Sequence, residues 1–384
     1  MKYHKGDASY SFLHPRVIPD YDELNKLFFQ VLAKRPEDRT DIINEKFGKI
    51  PYLNSSLFEV SPLERSTIRI SSLDNSELPL FGSTVLRDGQ KPRYKQLSTL
   101  RYLFEFLDAY DFSSEGSEDV QETAKTLINA SVLGLIFEKI NGHKDGAIFT
   151  PGAVTMYMSR EAIQATVVRK FNEAMGWTCA DYEALKDKDI DDYRKANGIV
   201  HSIRMCDPAV GSGHFLVSVL NELIRTKYEL GILLDCKGKR IKKQDWSIDV
   251  VNDELILCDS DGEPFVYIPG NEECQRIQEA LFNEKRRIIE SCLFGVDLNP
   301  NAVNICRLRL WIELLKNAYY TKKSGYTELE TLPNIDINIK VGNSLIHRFA
   351  LNQDNSENLR ETGLRIDRFK DAVSRYKNAH SKEE

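Results

Sequence analysis

The sequence has no long apolar run, no Cys-x-x-Cys pair and no excess of positive charge. No apolar stretch approaches the roughly 18 residues that a membrane span needs, and the amino terminus has no apolar segment of the secretory type. The seven cysteines are scattered along the chain, which argues against a disulfide framework or a thiolate zinc site. We therefore expect a cytoplasmic protein with no membrane segment and no metal.

The charge balance limits the possible partners. The chain has 58 acidic residues and 52 lysines and arginines, which leaves a net charge of −6. A protein that grips nucleic acid alone usually carries a basic surplus. The densest basic stretch, 237–243, is of a kind that is usually a solvated turn. We therefore expect that the chain either does not bind nucleic acid alone or binds it through a local basic patch.

Length and composition are those of a globular protein with two or three domains, since the chain has 384 residues, 41% of them hydrophobic and 29% charged. We expect a mostly helical region over 1–140, an α/β core over 141–350 and a charged, helical, truncated tail over 351–384.

The first region shows helical periodicity but no pattern typical of catalysis. Apolar residues at helical spacing predict helices over 21–35, 95–110 and 120–140. Residues 51–95 are rich in proline, serine and glycine and are predicted to be irregular or strand-like.

The core alternates strands and helices. Thr150-Pro151 is predicted to start a helix that runs to about 174, with Thr150 as its cap. The elements expected after it are a strand over 199–206, a helix over 215–230, a hairpin insertion over 231–270, a helix over 272–290, a strand over 292–296, a helix capped by Asn299 and a strand over 335–341. This order is typical of a doubly wound, Rossmann-like α/β nucleotide-binding sheet.

Two groups of residues follow predicted strands and are candidates for ligand binding. Glycines in the turn Gly211-Ser-Gly213 allow a sharp bend and let backbone amides approach a ligand. Asp207 precedes a proline, which favours an extended conformation and places it at the carboxyl end of its strand, where open α/β sheets bind ligands. Asp297 ends the next strand and can accept both hydroxyls of a ribose. Its alternative role is a helix-start acid stabilised by the helix dipole.

A nicotinamide site fits this pattern less well. A dinucleotide fingerprint places its acid about 20 residues beyond the glycines, and Asp297 lies much farther along the chain. Leu216 also occupies the position of the third glycine.

Four segments occur in an order that resembles a known family. They are Phe149-Thr-Pro151 with Tyr157-Met158, Asp207-Pro-Ala-Val-Gly-Ser-Gly-His-Phe-Leu216, Gly295-Val-Asp-Leu-Asn-Pro300 and Gly342-Asn-Ser-Leu345. Together they resemble the S-adenosylmethionine (SAM)-binding motifs of DNA adenine-N6 methyltransferases, most closely the type IIG restriction–modification enzymes, and PglX-type methyltransferases are similar. Cys306-Arg-Leu-Arg-Leu-Trp311 also resembles this group, and Val210 stands where the family usually has cysteine.

The resemblance implies a SAM-dependent methyltransferase fold, with SAM as cofactor and double-stranded DNA as partner of the full-length enzyme. The cofactor-binding residues that it implies are Thr150, Pro151, Asp207, Pro208, Ala209, Gly211, Ser212, Gly213, Phe215, Asp297, Leu298 and Asn343.

The resemblance also implies a role for each part of this set. Thr150 and Pro151 would border the methionine end of SAM. Asp207 and 211–213 would hold its amino-acid and sulfonium part. Asp297 would accept the ribose hydroxyls, with Leu298 against the adenine ring, and Asn343 would bind the adenine edge.

The catalytic signature of the family is missing. That signature is Asn/Asp/Ser-Pro-Pro-Tyr/Phe, and no two of the 13 prolines are adjacent. We therefore expect no catalytic residue here, and a monomeric fragment of an adenine-specific DNA methyltransferase that is inactive alone. A non-catalytic DNA-binding or specificity module is the alternative, and a nicotinamide-dependent oxidoreductase is a less favoured one.

Overall fold

The structure is a computed structural model and divides into two compact units, 1–132 and 133–384. The residues that it describes are 12–48, 50–53, 58, 60, 62–111, 126–127, 134, 136, 138–139, 150–251, 253–333, 338–346, 367–368, 371–373 and 375. Within these residues, no helix is long and apolar enough to cross a membrane. The same residues contain no cluster of His, Cys, Asp and Glu suited to a metal ion.

Short helices make up much of the first unit. They are α1 (Tyr21–Lys26), a π-helix (Leu27–Leu32), α2 (Asp41–Phe47), α3 (Pro62–Ser66) and α4 (Thr99–Asp108), with 3-10 turns at Pro36–Asp38 and Ile70–Ser72. The Asp20 side chain accepts a hydrogen bond from the Glu23 amide at 2.9 Å and so caps α1. The helix predicted over 21–35 thus forms, and it ends at Leu32.

Three pairs of short strands complete the described part of this unit. They are antiparallel β1 (Glu77–Pro79) with β4 (Gln96–Ser98), antiparallel β2 (Arg87–Asp88) with β3 (Lys91–Pro92), and parallel β5 (Tyr110–Asp111) with β6 (Thr126–Leu127). The helix predicted over 120–140 is therefore wrong at β6, where pairing with β5 satisfies the backbone instead. Positions 134, 136, 138 and 139 are helical, and the other residues of that range lie outside those described.

The core of the first unit joins α1, the π-helix, α2 and α4 through buried apolar side chains such as Val31, Phe47 and Leu100. Arg39 is buried beside them and donates hydrogen bonds to the carbonyls of Val31, Lys34 and Ile50 at 2.9–3.0 Å. Those bonds satisfy the guanidinium, as a buried charge requires.

The second unit has longer helices. They are α5 (Gly152–Met175), α6 (Tyr182–Lys186), α7 (Tyr193–His201), α8 (His214–Glu229), α9 (Glu272–Ser291) and α10 (Pro300–Lys316). Asn299 caps α10 as predicted, because its side chain accepts from the Asn301 amide. The predicted cap of α5 is wrong, since Pro151 occupies the cap position and no side chain caps this helix.

A parallel sheet of three strands lies in this unit. Its order is β11 (Ile339–Val341), β10 (Leu293–Asp297), β7 (Met205–Asp207). Described residues thus show an α/β arrangement with three parallel strands, and not a complete doubly wound sheet.

Part of the strand predicted over 199–206 is wrong. Residues 199–201 are the last turn of α7, and the chain becomes extended only at Met205. A short apolar run does not distinguish a strand from a buried helix face, and here it spans the two. The predicted strand over 335–341 is observed from Ile339, and 335–337 lie outside the described residues.

An antiparallel hairpin falls in the predicted insertion. β8 (Trp246–Val251) pairs with β9 (Glu254–Asp259) in register along their whole length. Asp253 in the turn has a φ of +65°, a left-handed conformation that aspartate tolerates better than most residues.

Helix α8 is the centre of the unit. It is buried nearly all round, including polar residues such as Ser218, Asn221 and Lys227. A helix buried on every side belongs to the core, and its buried polar groups need partners inside the protein.

Candidate functional site

The three parallel strands bring polar residues together at the carboxyl end of the sheet. β7 ends at Asp207 and β10 ends at Asp297. In the register of these strands, Asp207 pairs with Gly295. The Gly342 amide, one residue before Asn343, donates to the main-chain carbonyl of Asp297 at 2.9 Å.

Backbone amides hold the carboxylate of Asp297 in place. The Gly211 amide donates to Oδ2 at 2.9 Å, and the Asn299 amide donates to Oδ1 at 2.8 Å. The Val210 amide also donates to the Val296 carbonyl at 2.9 Å, which ties the glycine turn to β10. Each carboxylate oxygen can accept more than one hydrogen bond, so Asp297 keeps acceptor capacity for a ligand.

Both glycines of the turn need left-handed conformations. Gly211 has a φ of +53° and Gly213 a φ of +85°. A Cβ on Gly213 would lie 2.7 Å from Sγ of Cys306, so the turn packs directly on α10. Glycine at 213 is required both by the backbone and by this close approach.

Asp207 adds a second carboxylate beside the turn. Burial raises its pKa, the amide of Ala209 lowers it by donating to Oδ1 at 3.0 Å, and the nearby Asp297 raises it further. Two acidic groups at adjacent strand ends give this end of the sheet a negative potential, which suits ligand groups that are cationic or that donate hydrogen bonds.

The remaining predicted residues vary in exposure. Thr150, Pro208 and Ala209 are exposed and Phe215 is half-buried, while Leu298 is 69% exposed. Asn343 is exposed, and its Oδ1 accepts from the Leu345 amide at 2.9 Å.

The structure therefore gathers Asp207, 211–213 and Asp297, with Asn343 linked through Gly342. Pro151 directly precedes α5, and the first turn of this helix lies against α8, because Thr155 Oγ1 is 3.5 Å from Oγ of Ser218.

A buried polar cluster behind the turn was not expected from the sequence. Ser212 donates to Glu138, and His214 Nε2 lies 3.0 Å from Oε1 of the same carboxylate. Arg309 of α10 donates to the Ser212 carbonyl at 3.2 Å. Arg309 belongs to the segment Cys306–Trp311, so the family resemblance was the available signal for it.

The hairpin turn joins this cluster through Asp253. Its Oδ1 accepts from Ser218 Oγ at 2.6 Å and its carbonyl from Asn221 Nδ2 at 2.8 Å, while Oδ2 lies 3.9 Å from Arg309. Burial raises the pKa of Asp253 to about 6, although Ser218 and Arg309 act to lower it. The insertion is thus anchored on α8.

Comparisons with known proteins relate the chain to restriction–modification enzymes. Residues 1–128 match a family described as a domain of unknown function, DUF7814. The chain is 28% identical over 348 residues to a putative type II restriction enzyme and methyltransferase of Methanocaldococcus jannaschii, covering 84% of this chain and 23% of that protein. It is 29% identical over 147 residues to a type II restriction enzyme and methyltransferase of Escherichia coli, covering 33% of this chain and 14% of the other.

A solved structure, the type IIL restriction-modification enzyme MmeI in complex with DNA, aligns with 94% of this chain and 37% of its own, at 14% identity and a TM-score of 0.45. The chain spans less than a quarter of the length of the curated relatives it matches. Those relatives confirm the predicted relationship to restriction–modification proteins that include a methyltransferase.

Proposed function

We propose that this chain is the SAM-binding portion of a DNA adenine-N6 methyltransferase of the type IIG restriction–modification kind. The observation that carries the proposal is the carboxylate of Asp297, fixed by the Gly211 amide at 2.9 Å at the carboxyl end of the sheet. The relatives of the chain, which are named as restriction enzymes and methyltransferases, support the same function.

The chemistry of the site fits the parts of SAM. The ammonium and sulfonium groups of SAM are cationic, and Asp207 with Asp297 provides negative charge beside the glycine turn. The free acceptor capacity of Asp297 suits a ribose diol. Leu298 offers an exposed apolar surface for the adenine ring, and the side-chain amide of Asn343 can donate to a ring nitrogen.

In this proposal the residues of the chain bind and orient the cofactor, and Thr150 and Pro151 border its methionine end. Bound SAM would supply the methyl group. Double-stranded DNA is the proposed partner of the whole enzyme, which would flip the target adenine out of the duplex. Because the sequence has no Pro-Pro loop to hold that base, the proposal gives this chain no catalytic residue.

Calorimetric titration with SAM tests the proposal. Asp297→Ala removes hydrogen bonds to a charged acceptor, which contribute about 1.5–3 kcal/mol, so SAM affinity should fall roughly 10- to 150-fold. Asp261→Ala, an exposed aspartate in the turn after β9, is the matched control and should bind as the wild type does. Equal affinity in the two variants would contradict the assignment of Asp297.

A further inference from the structure

A cavity lies at the end of the sheet opposite to Asp207 and Asp297. Its volume is about 740 Å³, and its walls are α7, the turn at 234–238 and α9. His201 in its wall has its main-chain carbonyl 3.7 Å from Sγ of Cys292, the residue before β10. The cavity is therefore at the amino end of the strands, whereas Asp207 and Asp297 are at the carboxyl end.

Three cationic side chains line this cavity from three different elements. They are Arg194 on α7, Lys237 in the turn and Arg287 on α9, and all three are exposed. Among the ion pairs between described residues, none involves these three side chains. Their charges are thus available to a ligand.

The carboxylates of the cavity wall are already neutralised. Asp235 Oδ2 lies 3.1 Å from Nη1 of Arg276, and its Oδ1 accepts the Lys237 and Lys239 amides at 2.9 and 2.8 Å. Glu284 pairs with the buried ammonium of Lys227 and lies 2.8 Å from Nε2 of His201. The surplus charge of the lining is therefore positive.

The wall also carries an unsatisfied buried atom. His201 is 8% exposed, and its Nδ1 has no hydrogen-bond partner among the described residues. Burial lowers the pKa of this imidazole, although Glu284 acts to raise it. Nε2 of this imidazole lies 2.8 Å from Oε1 of Glu284 and 3.2 Å from Nζ of Lys227, so that side of the ring is occupied inside the protein.

We propose that this cavity binds a small oligophosphate ligand, either a nucleoside di- or triphosphate or an inorganic polyphosphate. Arg194, Lys237 and Arg287 bind the phosphate oxygens, since guanidinium and ammonium groups form strong charge-assisted hydrogen bonds with phosphate. The inference does not rest on the proposed function, because the cavity shares no residue with the carboxyl end of the sheet.

Cysteine protection tests this site in the intact chain. Cys236 is exposed in the cavity wall, and Cys206 is an exposed thiol on β7. Iodoacetamide labelling at alkaline pH, with each cysteine quantified by mass spectrometry, should show UDP or pyrophosphate slowing the alkylation of Cys236 but not of Cys206. If UDP protects Cys236 more strongly than pyrophosphate does, the ligand is a nucleotide. If the two protect Cys236 equally, the ligand is the inorganic one. Uridine should protect neither thiol.

Variants separate a specific site from general charge attraction. Arg194→Gln and Arg287→Gln should each weaken protection roughly 10-fold or more. Arg286→Gln, on the neighbouring residue of α9 outside the cavity wall, is the matched control and should leave protection unchanged. Three results would overturn the proposal: no protection by UDP or pyrophosphate, equal protection of Cys236 and Cys206, or full protection in the Arg194 and Arg287 variants. Unaltered SAM binding in these variants would show that the two sites are separate.

Discussion

Carboxyl groups near the two ends of the small parallel sheet have pKa values that are shifted in opposite directions. At the carboxyl end and behind its glycine turn, burial raises the pKa of Asp207 and of Asp253, and nearby donors only partly offset that effect. At the amino end, burial would also raise the pKa of Glu284, but Lys227 and His201 outweigh it and hold the value at about 2.

This difference distinguishes a carboxylate that is paired inside the protein from one whose charge is available to a ligand. Glu284 is matched inside the protein by Lys227, which is fully buried, so this pair holds α8 and α9 together. Asp207 has a backbone amide but no cationic side chain to pair with among the described ion pairs. Carboxyl groups with raised pKa values cluster at functional sites, and the carboxyl end of this sheet has that character.

The largest effect is expected from breaking the buried pair at the amino end. Lys227→Met leaves Glu284 without its cation, and removing one partner of a buried pair costs about 3–5 kcal/mol. Urea unfolding should show this loss. Adding Glu284→Gln should recover much of it, because the unmatched charge is then gone; a double variant as unstable as the single one would show that the pair is not the cause.

A somewhat smaller effect is expected at the glycine turn. Gly213→Ala and Gly262→Ala both place a side chain at a positive φ, +85° and +82°, which costs about 1–2 kcal/mol. Only at Gly213 does the new Cβ meet a neighbour, Sγ of Cys306 at 2.7 Å, whereas Gly262 has open space. The extra overpacking cost at 213 is about 1–3 kcal/mol.

Thermal unfolding of both glycine variants measures that difference. Adding Cys306→Ala to Gly213→Ala should return part of the stability, because the sulfur in contact is removed. Equal losses at 213 and 262 would show that α10 can move away from the turn.

The smallest effect is a change in pH dependence from Asp253→Asn. The folded protein holds the Asp253 proton up to about pH 6, whereas the unfolded chain releases it near its ordinary value of 3.8. Between these values the folded state binds more protons, so this residue makes stability fall as the pH rises. Asparagine tolerates the same positive φ and should remove this contribution, roughly 1–3 kcal/mol across the window.

Urea midpoints of the wild type and the Asn variant across that window provide the measurement. The difference between the two proteins should change with pH from about 4 to 6 and be constant above it. A constant difference throughout would mean that Asp253 is ionised over the whole range.

Local signals in the sequence predicted the carboxyl end of the sheet well. Asp207 stands between an apolar segment and a proline, and Asp297 follows an apolar segment two residues before Asn299-Pro300, so their place at strand ends follows from neighbours in the chain. The start of α10 at Asn299-Pro300 was predictable for the same reason, because both cap and proline are local features. The binding roles of these residues remain a prediction.

Features made by distant residues could not be predicted in this way. The cationic lining of the cavity at the amino end consists of Arg194, Lys237 and Arg287, which the fold brings together from separate elements. The basic run at 237–243 is of a kind that predicts a solvated turn, and only the structure shows that Lys237 lines a cavity. The last turn of α7 was missed because a short apolar run fits a helix as well as a strand.

The register of the parallel sheet has a consequence for how the chain folds. Met205 pairs with Leu293, and Gly295 pairs with Ile339, so each neighbouring strand is supplied by a distant part of the sequence. Contacts of this kind slow folding, because a long loop must close before they form. During synthesis, β7 is made before α8 and the hairpin. The backbone hydrogen-bonding groups of β7 stay unpaired with β10 until that strand has also been made. Until β10 is made, this unpaired strand exposes the nascent unit to misfolding and aggregation.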